Sequence, residues 1–350
     1  MRDRFGDARR TEVIGAIEDI AVQDMIAEED VAVSISYEGY IKRQPLSTFR
    51  KQHRGGKGVI GATTKDGDFV KDLYIASTHN YILLFTTEGK LYWLKVYDIP
   101  QMGRASMGRS IANLLELKQG ERITSMLPVR EFEDRYVFMS TRRGIVKKTK
   151  LEEFSNPRKV GIRALNLDKD DLLISVCLTD GDDEIILGTR DGMAIKFHEN
   201  EVRAMGRTAR GNKGIKLRGD DYVVGMVRCE SHTQLLTVCE NGYGKRTAYD
   251  QYRCTHRNGI GVKNIATNER NGKVESVLGV HGDDEILIVT AKGKIIRSTV
   301  GDISMYGRGT QGVRVISLRE DDYVANVSRI KASPTNGNGE DEAIEGDEAE

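Results

Sequence analysis

Short apolar or alternating runs, each followed by a glycine turn, recur along this chain. Segments 81–85 and 285–289 are mostly apolar, and each leads through a glycine to a second run with alternating apolar positions. A period of two predicts β-strands, and tight turns between antiparallel strands favour glycine because it adopts positive φ at little cost. The pattern therefore predicts six β-hairpins. Their turn glycines are Gly39, Gly89, Gly144, Gly192, Gly242 and Gly293.

The hairpins form a repeat with a period of about 50 residues. Successive turn glycines are 50, 55, 48, 50 and 51 residues apart. About thirty residues after each of them comes a second turn signal, followed by another short strand such as segment 222–227. Each repeat thus contains about four strands. We expect an all-β fold, a six-bladed β-pinwheel or propeller of four-stranded blades, because radial closure protects strand edges. Only segment 2–17 resembles a short helix or linker.

Composition agrees with a water-soluble, turn-rich protein. There are 37 glycines, 5 prolines and 30% charged residues, and no run approaches the roughly 18 apolar residues of a membrane helix. The first residues lack the apolar core of a signal peptide, so we expect a cytoplasmic protein. The four cysteines form no CxxC pair and no ligand spacing with the six histidines, which favours reduced structural thiols over zinc.

The formal net charge of zero conceals an uneven distribution. Segment 333–350 contains seven of the 53 acidic residues and no base, so the rest of the chain has seven more bases than acids. A mildly basic body with an acidic tail is common in proteins that bind polyanions. A disordered, purely solubilising tail is an equally good interpretation of the charge alone.

Bases recur at two fixed positions of the repeat. Fifteen residues after each turn glycine stands a base, followed shortly by a second glycine. These bases are Arg54, Arg104, Lys159, Arg207, Arg257 and Arg308, and the glycines are Gly58, Gly108, Gly161, Gly214, Gly261 and Gly312. Four residues after the turn glycine, five repeats again carry a base, with Trp93 as the exception. These five are Arg43, Lys148, Lys196, Arg246 and Arg297.

A base that recurs once per repeat lies at an equivalent place on every blade, so the bases should form a stripe along one rim. Lysines and arginines on strands are often merely solvated, but that interpretation does not predict a base and a glycine together in six repeats. Glycine lets backbone N–H groups approach an anion, and arginine is a forked donor that suits phosphate. The implied ligand is a long phosphate polymer.

Repeat one contains the densest version of this element, Gln52-His53-Arg54-Gly55-Gly56-Lys57-Gly58. It resembles QRRGGKG, the box that marks the C-terminal domain of gyrase A in DNA gyrase, which is a type IIA topoisomerase. Segment 4–12 resembles the linker that precedes that domain, and segments 39–42, 95–100, 202–206 and 241–247 also resemble the family. One residue departs from the box, since His53 replaces an arginine and is mostly neutral at pH 7.

The resemblance implies a domain at 20–332 that bends duplex DNA chirally, after a linker at 1–19 and before an acidic disordered tail at 333–350. It also implies that the partners are the gyrase A N-terminal domain and gyrase B subunit in the holoenzyme, within a bacterial cytoplasm. ATP and magnesium would act elsewhere in the assembly, because the family's catalytic tyrosine lies upstream. We expect no catalytic residue, metal or cofactor in this chain. Besides the box and the ten bases of the two fixed positions outside it, Arg210 is a candidate DNA contact.

Other signals are weaker. Segment 56–61 matches GxGxxG but lacks the surrounding βαβ unit, and the acidic cluster at 180–184 fits turn chemistry better than a calcium loop. Two other functions stay open. One is a protein-interaction propeller, and the other is the related C-terminal domain of topoisomerase IV, which generally lacks the intact box. An enzyme in the central channel is disfavoured, because the sequence offers no convergent catalytic group.

Overall fold

The computed structural model describes residues 25–36, 38–45, 70–103, 106–118, 120–292, 294–319 and 321–330. This part of the chain contains 23 β-strands, and its helical residues lie in short 3₁₀ turns. The predicted linker, the box and the acidic tail lie outside the described residues. The strands are β1 Asp30–Ser36, β2 Tyr40–Pro45, β3 Val70–Ser77, β4 Tyr81–Thr86, β5 Lys90–Lys95, β6 Arg109–Ser110, β7 Ile123–Val129, β8 Tyr136–Thr141, β9 Ile145–Lys150, β10 Ile162–Arg163, β11 Leu173–Thr179, β12 Glu184–Thr189, β13 Met193–His198, β14 Asn212–Lys213, β15 Val223–Arg228, β16 Gln234–Cys239, β17 Tyr243–Ala248, β18 Val262–Lys263, β19 Val274–Val280, β20 Glu285–Thr290, β21 Ile295–Thr299, β22 Val313–Arg314 and β23 Val324–Ile330.

The strands form six antiparallel sheets, which confirms the six predicted blades. Five sheets have four strands, in the orders β3-β1-β2-β6, β10-β5-β4-β7, β11-β8-β9-β14, β15-β12-β13-β18 and β19-β16-β17-β22. Within the described residues the sixth sheet has three strands, in the order β21-β20-β23. The predicted turn glycines outside the last hairpin all have positive φ, from 74° at Gly89 to 85° at Gly39, as tight hairpins require.

Each four-stranded sheet is completed by the following repeat. The outer edge strand is only two residues long and pairs with the second hairpin strand of the preceding repeat, as Val262 and Lys263 of β18 pair with Ala194 and Met193 of β13. These short outer strands are β6, β10, β14, β18 and β22. The opposite edges of the sheets line a central cavity of about 1010 Å³, and β23 of the last sheet contacts β3 of the first.

The hydrophobic core lies between neighbouring sheets. One cluster joins Val31 and Val33 of the first sheet to Ile82 and Leu84 of the second, and four further clusters join successive sheets in the same way. Because a blade is covered on both faces, its central strand is buried almost throughout, as in β4 and β12. This explains why these strands are continuous apolar runs rather than alternating ones.

Candidate nucleic-acid interface

A tight turn precedes each outer strand and carries the recurring base. In four repeats this turn is closed by a backbone hydrogen bond, from Ser106 to Gly103, from Gly161 to Arg158, from Ala209 to Gly206 and from Thr310 to Gly307. Arg207 and Arg308 lie inside two of these turns, whereas Arg104 lies outside the described residues. The chain then runs directly into the outer strand. The turn therefore places its base at the perimeter of the molecule.

A glycine follows the turn because the chain must pass against the preceding blade. Gly261 has a φ of 79°, and a Cβ atom there would overlap the carbonyl oxygen of Ala194 in β13. The repeat pattern in the sequence predicts Gly214 at this position in repeat four, and that prediction is wrong. Gly211 has a φ of 105°, and a Cβ atom there would lie 2.6 Å from the carbonyl oxygen of Val146. Close packing against the preceding blade, and not only access for an anion, explains the recurrence of this glycine.

The turn bases are partly anchored and partly exposed. A guanidinium N–H of Arg257 donates to the carbonyl of Lys213 at 3.1 Å, and Arg308 donates in the same way to Lys263 at 3.3 Å. Arg207 lies 3.9 Å from the carboxylate of Glu153. Each anchored arginine uses some of its five N–H donors and keeps others for a ligand. Lys159 is exposed, and its spacing to the following glycine, Gly161, is two residues shorter than in the other repeats.

The structure reveals a second row of bases that the repeat pattern in the sequence did not predict. Each outer strand carries one exposed base, and in four of the five strands it is the second residue. No carboxylate among the described residues forms an ion pair with any of them. Their spacing from the glycine could have revealed them, once Gly211 replaced Gly214 in the alignment. The five bases, here called the outer-strand row, are Arg109, Arg163, Lys213, Lys263 and Arg314.

Arg314 shows how positive this perimeter is. Its guanidinium donates to the hydroxyl of Tyr243 at 3.0 Å, and Arg270 lies over the same ring at 4.3 Å from its centre. Hydrogen bonds from these two arginines lower the pKa of the Tyr243 hydroxyl. Two cations that share one phenol form a cluster suited to an anion.

The base four residues after the turn glycine has a different role. Arg43 donates its Nε–H to the carbonyl of Ile99 at 2.8 Å, and Arg246 does the same to Ile303 at 2.6 Å. Trp93, the apparent exception, donates its indole N–H to the carbonyl of Phe154 at 2.8 Å. Each acceptor lies at the end of a 3₁₀ turn in the next repeat. This position requires an N–H donor that joins two repeats, which explains why tryptophan replaces a base.

The remaining bases at this position pair with glutamates. Lys148 is 6% exposed and lies 3.4 Å from the carboxylate of Glu199, and Lys196 is 8% exposed and lies 2.9 Å from Glu184. The expectation that this base faces solvent is therefore wrong at Lys148 and Lys196, since burial separates both from a phosphate. Arg297 is half-exposed and pairs with Glu285.

The acidic cluster stabilises a turn of the backbone. Asp180, Asp183 and Glu199 bring their carboxylates together, and this is the one such group of three in the described part of the chain. Glu199 accepts hydrogen bonds from the backbone N–H groups of Gly181 at 2.8 Å and Asp183 at 3.0 Å. The carboxylate of Glu199 thus accepts hydrogen bonds from the protein's own backbone.

The box from Gln52 to Gly58 lies outside the described residues, and Arg210 is exposed and paired with Asp168. Over the described ranges, the helices are too short to cross a bilayer.

Comparison with known proteins agrees with this architecture. Six segments match the family described as DNA gyrase C-terminal domain, beta-propeller, and they are residues 33–77, 80–130, 135–177, 183–230, 233–281 and 284–331. The chain is 48% identical over 351 residues to the DNA gyrase A protein of Salmonella typhimurium, which covers 100% of the chain and 40% of the relative. It is 44% identical over 347 residues to the DNA gyrase A protein of Staphylococcus aureus, which covers 98% of the chain and 39% of the relative. The chain thus spans about two fifths of the length of these relatives.

Two solved structures have the same fold. The C-terminal domain of DNA topoisomerase IV superposes with a TM-score of 0.76 at 30% identity, over 88% of this chain and 95% of that one. The DNA gyrase A C-terminal domain superposes with a TM-score of 0.69 at 28% identity, over 87% of this chain and 100% of that one. Because the family match extends through all six blades, the chain belongs to the family of DNA gyrase C-terminal domains.

Proposed function

We propose that this chain binds duplex DNA along its perimeter and wraps it with a fixed handedness, without covalent chemistry of its own. The observation that carries the proposal is the outer-strand row, which repeats around the molecule beside the turn arginines. Bases at equivalent positions of successive blades meet phosphates at a regular spacing but read no base edges. Binding should therefore tolerate any sequence.

Wrapping follows from the placement of these bases on a small, closed body. Bending duplex DNA around a domain of this size costs several kcal/mol, so the DNA stays curved only if contacts continue from blade to blade. We propose that the wrapped segment is delivered to the rest of a gyrase, formed with the gyrase A N-terminal domain and the gyrase B subunit, for negative supercoiling. The similarity to the two DNA gyrase A proteins supports this context.

Nicked-circle ligation tests the wrapping directly. The purified chain is bound to a nicked plasmid, the nick is sealed, and the linking number of the deproteinised product is measured. We expect a shift of one sign that grows with the amount of protein. An unshifted distribution under conditions where the chain binds linear duplex would contradict chiral wrapping.

A matched variant assigns a role to the box. Replacement of Gln52 to Gly58 by alanines should leave binding to short linear duplex nearly intact and abolish the linking-number shift, because the box concentrates two bases and three glycines. Alanine replacement of Ser231 and Gln251, which are exposed and lie outside the repeating base positions, is the control. If the box variant shifts the linking number as the parent does, the box has no special role.

The fold similarity to a topoisomerase IV domain supports a second candidate, a related domain that binds DNA without strong chiral wrapping. The nearly intact box favours the gyrase function. The same ligation assay separates them, because simple binding leaves the linking number unchanged.

A further inference from the structure

Three lysines lie in the core of this protein, where lysine is rarely found. Lys42, Lys147 and Lys245 are 2%, 0% and 0% exposed. Each is the third residue after a turn glycine, in β2, β9 and β17. Burial of an ammonium group is unfavourable unless hydrogen bonds replace its water. These lysines therefore need a specific set of acceptors.

The acceptors belong to the base-bearing turns. The ammonium of Lys245 donates to the carbonyl of Gly307 at 2.5 Å and to the hydroxyl of Thr310 at 3.2 Å, the two ends of the turn around Arg308. The ammonium of Lys42 reaches the carbonyls of Gly103 at 3.2 Å and Ser106 at 2.8 Å. These are the corresponding ends of the turn in repeat two.

Lys147 holds the turn of repeat four in a related way. Its ammonium donates to the carbonyl of Arg207 itself at 2.5 Å and to the carbonyl of Ala164 at 2.6 Å. Ala164 directly follows the outer strand β10. One ammonium thus joins the turn of repeat four to the chain that leaves repeat three.

The blade fold itself does not require these lysines. In the other three repeats the equivalent residues are Tyr92, Ile195 and Ile296, on strands with the same pairing. The presence of a lysine therefore correlates with the turn to which its ammonium donates, and not with the strand on which the lysine lies. A residue that only filled space in the core would not need a charged side chain.

We propose that Lys42, Lys147 and Lys245 are positioning residues, which hold the base-bearing turns of the following repeats in the geometry that contacts DNA phosphate. The inference rests on the proposed DNA binding. Buried residues of the blades would then contribute to the DNA affinity, by holding the surface arginines in place.

The buried charges also couple binding to protons. Burial lowers the pKa of Lys147 to about 7 and that of Lys245 to about 8, and it lowers the pKa of Lys42 as well. Glu153 and Arg207 face Lys147 and act in opposite directions, and Cys239 and Arg308 do so at Lys245. A phosphate above the turn favours the ammonium form and raises these pKa values. The added affinity is then present below the pKa of the free protein and is lost as pH rises through the pKa of the complex.

The test is the duplex affinity of the whole chain against pH. A short fluorescein-labelled duplex is titrated at constant ionic strength from about pH 7 to about pH 9, above the ordinary histidine pKa. We expect affinity to fall with pH, by up to about tenfold for each pKa unit by which phosphate shifts a lysine. Lys147→Met and Lys245→Met should bind more weakly at about pH 7, and each should flatten the profile. Ile195→Met is the matched control and should keep both affinity and profile.

A measurement on the unmodified protein needs no folded variant. Calorimetric titration with duplex in two buffers of different ionisation enthalpy should show net proton uptake at about pH 7.5. Absence of uptake, or methionine variants with the parental affinity and profile, would overturn the inference. Weaker binding with an unchanged pH profile would also overturn it, because that indicates a structural role alone. Failure of the unmodified protein to bind any duplex would instead contradict the proposed function.

Discussion

At the scale of single residues, a recurring base can stabilise the fold or be available to a ligand. The residues that contact it determine which of the two applies. Arg246 donates to carbonyls of the next repeat at Ile303 and Gly301, with N–O distances of 2.6 and 3.1 Å. Lys263 lies exposed on the outer strand, and among the described residues it has no carboxylate partner. The first holds two repeats together, and the second is available to phosphate.

Two alanine substitutions should therefore affect different properties, one the stability of the fold and the other the affinity for duplex. Arg246→Ala should lower the free energy of unfolding by about 1 to 2 kcal/mol, because two carbonyls lose a charged donor. The folded variant should bind duplex nearly as the parent does. Lys263→Ala should weaken duplex binding and leave unfolding unchanged. Urea unfolding followed by circular dichroism and fluorescence anisotropy with duplex measure the two quantities. Equal loss of affinity in both variants would contradict the division of roles.

At the scale of elements, the blade is assembled from two repeats. The two-residue outer strand can reach its neighbour only if the preceding glycine adopts positive φ and has no side chain. Gly261 satisfies both conditions against Ala194 of β13.

Gly261→Ala should consequently loosen the pairing of β13 and β18. The left-handed backbone alone costs a residue with a side chain about 1 to 2 kcal/mol, and the overlap with the Ala194 carbonyl adds to this. Hydrogen exchange should accelerate in these two strands before the rest of the molecule is affected. Gly309→Ala is the control, because its Cβ would meet nothing within 4 Å and its φ is not in the positive range. Similar protection in both variants would exclude this role for the glycine.

At the scale of the whole molecule, the distribution of charge should govern the interaction with DNA. One phosphate contact per blade across four to six blades predicts that log K falls with log salt with a slope of roughly −4 to −5. Binding isotherms at several salt concentrations measure the slope. A slope near zero, or strong selection of one short sequence, would contradict a perimeter of phosphate contacts.

The acidic tail should oppose this binding. Deletion of 333–350 removes seven acids that are tethered to a basic body and compete with phosphate at high local concentration. We expect tighter duplex binding at low salt and a smaller difference at high salt, where screening weakens the competition. A tail in which the seven acids are replaced by glutamine separates charge from length. Equal affinity of the parent and the deletion at low salt would show that the tail only solubilises the protein.

The sequence by itself determined the class of fold, the number of blades and the positions of the hairpins. These features depend on local properties, namely the period of two, the glycine turns and the repeat of about 50 residues, which require no knowledge of distant contacts. The positions of the base-bearing turns could be predicted from the sequence for the same reason.

Only the tertiary structure decided which of the recurring bases are exposed. Lys148 and Arg297 occupy the same position in the repeat, yet one is buried against the next repeat and the other is half-exposed. The tertiary structure also showed that Trp93 replaces an arginine as a donor and that Lys147 and Lys245 lie beneath the turns of later repeats. These roles depend on contacts between residues about 60 positions apart, and a pattern of charge along the chain contains no information about them.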